Sequence, residues 1–107
     1  MNELVRRLSE GSHPVELTLR PEKGPKALEE CLKRGYVHVK FTNTNGGTEL
    51  GVKIDEDTAQ LALAAVNGGT VTFHVAGNLW LDYVHVRCVA DIDVGTYQGL
   101  GHLELLQ

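Results

Sequence analysis

Flat rings are scarce in this sequence: Phe, Trp and Tyr together make up 6% of its 107 residues. So few aromatics give no stacking platform for single-stranded nucleic acid. Positive charge is also short, with 10 Lys and Arg against 14 Asp and Glu and a formal net charge of −4. That balance works against DNA, RNA and anionic membrane, which are drawn by clustered Lys and Arg. No run approaches the roughly 18 apolar residues of a membrane-spanning helix. The opening MNELVRRLSEG lacks the apolar core of a secretory signal. Only two cysteines are present, Cys31 and Cys88, with no CxxC, which excludes a disulfide scaffold and a thioredoxin-type motif. A cytoplasmic protein with two free thiols is the expectation; a single disulfide in an exported protein is the other reading. Also missing are GxGxxG and GxxxxGK[ST], hence Rossmann and P-loop nucleotide binding, and HxH, HxxxH and HExxH, the local pairings that fix two metal ligands.

What is present reads as one domain spanning 1–107. The hydrophobic fraction of 42% and charged fraction of 22% are those of an ordinary globular chain, long enough to bury a core without staples. In NELVRRLSEG, Leu4, Val5 and Leu8 share one side of a short helix with Met1 near the same stripe, and Gly11 suits its stop. HPVELTL alternates Val15, Leu17 and Leu19 against polar residues, the period of a half-buried strand. GPKALEECLKRG predicts a helix, with Pro25 in its first turn, a stripe of Ala27, Leu28, Cys31 and Leu32, and Gly35 at its end.

The tetrapeptide NGGT occurs twice, from Asn45 and from Asn67. The first copy predicts a type I′ hairpin centred on Asn45-Gly46, opposing Phe41 to Leu50, Val39 to Val52 and Val37 to Ile54. The second follows DEDTAQLALAAV, whose acids and alanines favour a helix N-capped by Asp55 and stopped at Asn67-Gly68; a strand over 56–66 is the weaker reading. The flanks of the two copies do not align, so one turn signal serves two jobs and there is no duplication. TVTFHVAGNLWLDY predicts a second hairpin with a loop at Ala76–Asn78, facing Val71, Phe73 and Val75 with Leu79, Leu81 and Tyr83. The apolar phase then shifts at Tyr83–Val84, which suggests a bulge or bend. DVGTYQGLG reads as a glycine-rich turn before a closing strand HLELL. The sum is an α+β domain, a mostly antiparallel curved sheet of about six strands with two or three short helices; a strongly bent sheet on a helix and a partly closed barrel both fit.

Chemistry is sparse. His38, His74 and His85 fall in strands and are the one candidate metal set, but without ligand spacing no metal is expected. His74, Asp82 and Arg87 are the candidate catalytic set, a His–Asp pair for acid–base work with Arg87 to hold an anion; no nucleophile signature accompanies them. Cys31 and Cys88 fall on apolar faces and behave as small hydrophobes. No cofactor is expected. From Arg20 to Lys40 six basic residues face three acidic ones, and from Glu49 onward eight acidic face two basic. Such a split suits docking of a protein partner or a second copy. The sequence therefore favours a non-enzymatic binding or regulatory module, such as an accessory subunit, inhibitor or immunity-type protein. Its expected interface anchors are Trp80 and Tyr83, with core packing the stronger competing role for Tyr83. A small enzyme or ligand binder with a pocket lined by His74, Asp82 and Arg87 is the alternative.

Overall fold

The computed structural model of the chain describes residues 3–19, 24–44, 46–81 and 83–106. Three helices, α1 (Glu3–Ser9), α2 (Pro25–Arg34) and α3 (Glu56–Asn67), accompany six strands: β1 (His13–Thr18), β2 (Tyr36–Phe41), β3 (Thr48–Ile54), β4 (Thr72–Leu81), β5 (Val84–Asp93) and β6 (Gln98–Leu105). The strands pair in chain order, all antiparallel, and β6 returns to β1, so the sheet closes into a barrel. Closure is more specific than the expected curved sheet. It leaves no open edge over most of the circumference. One face of every strand is buried inside: Val15 and Leu17, Val37, Val39 and Phe41, Leu50, Val52 and Ile54, Phe73 and Val75, Val86, Cys88 and Ile92, and Leu103.

Helices form where the spacing predicted them. Pro25 stands in the first turn of α2, Leu28, Cys31 and Leu32 are buried, and Gly35 takes the left-handed conformation with its N–H donating to the carbonyls of Cys31 and Leu32. The segment 56–66 is helical, and α3 packs along β4. Asp55 occupies the N-cap position of α3 without capping it, because its carboxylate is drawn to Arg87 instead. The left-handed residue after α3 is Gly69. Met1 and Asn45 lie outside the described residues.

Three turn assignments are corrected. The first hairpin pairs Val39 with Leu50, Val37 with Val52 and Phe41 with Thr48, a shift of two residues from the tight-turn register. The loop is longer because Thr44 organises it: its carbonyl accepts from Gly47 N–H at 3.0 Å and its hydroxyl meets that of Thr48 at 2.7 Å. A shift of two keeps every side chain on its face, so the apolar matching survives. The second hairpin does not turn at Ala76–Asn78. β4 runs straight through to Leu81, opposite Val84, and Tyr83, with φ 67°, stands in the turn between the two strands. The phase shift read as a bulge is the turn itself. β6 likewise begins at Gln98; the turn before it is held by Asp93 Oδ1, which accepts from the N–H groups of Gly95 (2.7 Å) and Thr96 (2.9 Å).

The ladders are unequal. β4 and β5 pair over their whole length, whereas β3 and β4 meet, among the described residues, only at Lys53↔Asn78 and Ile54↔Gly77. At that seam a Cβ on Gly77 would run into the Lys53 carbonyl, so glycine here permits close backbone approach.

Candidate functional site

Alternation along β4 sends Thr72, His74, Asn78 and Trp80 outward. The register with β5 decides their neighbours. Trp80 faces His85, and the two rings stack with centroids 4.5 Å apart and planes 13° apart. Trp80 is nevertheless 69% exposed, and Tyr83, at the tip of the same hairpin, is 98% exposed. Core packing for Tyr83, the role the sequence favoured, is thus overturned: its place in the turn between β4 and β5 takes it off the inward face. Leu105, at the end of β6, is a further exposed apolar side chain on the strand beside this hairpin.

Of the candidate catalytic set, the two described members, His74 and Arg87, have different partners. His74 Nδ1 lies 2.9 Å from Asp91 Oδ1, its cross-strand neighbour. Arg87 lies across from Asn78, four residues further along β4, roughly 13 Å at the strand rise. It donates to Asn78 Oδ1 at 3.1 Å and to Asp55 Oδ2 at 2.5 Å. The Asp55 carboxylate holds the guanidinium pKa above its ordinary value. Asp82 lies outside the described residues. The His74–Asp91 pair can orient an imidazole, but its side chains are 51% and 72% exposed, and water screens such a pair. Asp91, the partner of His74, depends on the β4–β5 register, and Asp55, the partner of Arg87, on the pairing of β3 with β4; periodicity sets neither. Pairing Leu81 with Val84 makes cross-strand partners sum to 165, and His74 with Asp91 follows directly.

His38, His74 and His85 stand on β2, β4 and β5 with different neighbours: Tyr36 edge-on to His38, Asp91 beside His74, Trp80 on His85. Among the described residues no three His, Cys, Asp or Glu side chains are grouped to hold a metal ion. His102, which the sequence left without a partner, meets Glu104 at 3.1 Å.

Both cysteines are free and buried. Burial pushes the Cys31 thiol up against the opposing pull of Arg34, and pushes Cys88 up to about 12. A thiol that folding keeps protonated favours the fold below its unfolded pKa. That contribution is lost as pH rises from about 9 toward the folded value, because the unfolded chain then binds fewer protons. Native protein should resist a maleimide at about pH 8 and take up two equivalents after unfolding in denaturant; rapid native labelling of Cys88 would contradict its burial.

No protein-family model matches this sequence, and no curated protein matches it.

Proposed function

We propose that this chain is a non-catalytic docking module that binds a protein partner, or a second copy of itself, through the far end of the β4–β5 hairpin. One observation carries the reading: Trp80 is held flat against His85 yet left mostly open to water, beside a fully exposed Tyr83. Tryptophan and tyrosine bury large areas with little loss of side-chain freedom, and such residues dominate binding hot spots. A ring already fixed by a neighbour gives up less entropy on binding. Roles that fit are an accessory subunit, an inhibitor or an immunity-type protein.

Sedimentation velocity on the chain, alone and with any partner purified on it, provides the test. Trp80→Ala should weaken the complex, homomeric or heteromeric, by about thirtyfold, the equivalent of a 2 kcal/mol hot spot, with an unchanged circular dichroism spectrum. A complex whose affinity is indifferent to Trp80→Ala and Tyr83→Ala, or a chain that stays monomeric and binds no protein, would overturn the reading.

A further inference from the structure

Away from the hairpin tip, the connections α2–β2 and β3–α3 run side by side. The Ile54 N–H donates to the Gly35 carbonyl at 2.8 Å, which ties the start of β2 to the end of β3. The last turn of α2 and the first turns of α3 then form the walls of a groove of about 480 Å³, within the size range of small-molecule sites. Its floor is apolar, with Leu32, Ile54, Ala59 and Leu63. Its rim carries Lys33, Arg34 and Lys53 against one carboxylate, Glu56.

We propose that this groove binds an amphipathic organic anion: an acid group on a short alkyl or aryl body. Positive charge is concentrated locally at this groove. The whole chain carries net −4, yet three of its ten Lys and Arg line this groove. Lys33 is shared with Glu29 at 3.3 Å, an exposed pair that exchanges readily with a competing anion. Arg34 and Lys53 have no carboxylate within ion-pair distance among the described residues. Arg34 presents the planar fork that matches a carboxylate or phosphate. Cationic and metal ligands are disfavoured by the same three charges. Nucleic acid is disfavoured by the small extent of the patch and by the net negative charge around it. The apolar floor gives the ligand's body a place that a bare inorganic anion cannot use. The site is independent of Trp80, so its failure would leave the docking reading untouched.

The test is a methyl NMR titration with octanoate, octylammonium and acetate as probes. Octanoate should shift the Leu32, Ile54 and Leu63 methyls saturably. Acetate, lacking the body, and octylammonium, with the wrong sign, should each bind at least about tenfold more weakly. Arg34→Gln and Lys53→Gln, both at exposed side chains, should each weaken octanoate binding by about tenfold. Arg34→Gln lies outside the β3–β4 seam and keeps the result readable if the Lys53 variant loses its fold. Equal binding of octylammonium and octanoate would overturn the proposal, as would shifts that map elsewhere or no saturation up to the solubility limit.

Discussion

Gly77→Val should cost about 3 kcal/mol, the upper part of the range for an overpacked interior, and lower the melting temperature by roughly 12–20 °C. Gly77 faces Ile54 across the shortest ladder among the described residues. A Cβ there would run into the Lys53 carbonyl and come within 2.9 Å of Val52 Cγ1. Neither neighbour has room to move. The carbonyl belongs to the backbone of the opposing strand, and Val52 is in the core. A clash against backbone is relieved only by separating the strands, and β3 and β4 have little pairing to lose before the wall opens. The control is Gly24→Ala: an added Cβ at Gly24 meets nothing within 4 Å and its φ of 170° is extended, so stability should stay within about 0.5 kcal/mol. Thermal melts of both variants decide the matter. A Gly77→Val protein that melts within a few degrees of the wild type would mean that the seam does not hold the barrel closed.

Glycine is also where the sequence was hardest to read. Gly77, Gly99 and Gly101 all looked like turn residues, and all three sit inside strands. A strand glycine that admits a neighbouring backbone and a turn glycine that supplies positive φ are the same letter. What separates them is the phase of the apolar residues around them. Phe73, Val75, Leu79 and Leu81 keep one phase straight through Gly77, and the phase changes at Tyr83–Val84. The phase change marked the true turn, which contains no glycine at all; Tyr83 carries the positive φ instead.

Periodicity was legible wherever burial is one-sided. It placed the helices, the inward residues of β1, β2, β3 and β5, and the outward positions of His74 and Trp80. Pairing partners depend on register, which periodicity leaves free by multiples of two residues. The candidate site inherited that uncertainty. The exposure of Trp80 followed from alternation alone, but its stacking on His85, the His74–Asp91 pair and the diversion of Asp55 to Arg87 are all consequences of register. Barrel closure was harder still. It rests on contacts between the first and last strands, His13 with Gly101 and Val15 with Gly99, and no local pattern reports those.

Phe41→Ala should be the most destabilising of the single truncations, at about 3–5 kcal/mol, a large share of the 5–15 kcal/mol that typically separates folded from unfolded domains. Phe41 is 0% exposed and heads the largest fully buried side chains. It is paired with Val15 on one side and Thr48 on the other, with the His13 ring edge-on at 6.4 Å. Val15 and Thr48 are held in their ladders, so the cavity cannot collapse by moving a strand, and the cost includes the void as well as the lost transfer term. Denaturant melts should show a lower midpoint with an unchanged slope. Trp80→Ala should do the reverse. Removing one member of an exposed stack costs about 1 kcal/mol or less, while the complex should lose most of its affinity. If Phe41→Ala lowers stability but the folded fraction still binds with wild-type affinity, and Trp80→Ala keeps its stability but not its binding, then barrel interior and hairpin tip are separate devices. One builds the platform and the other meets the partner. If both variants lose stability and binding together, Trp80 is part of the packing, and the docking surface must lie elsewhere on the barrel.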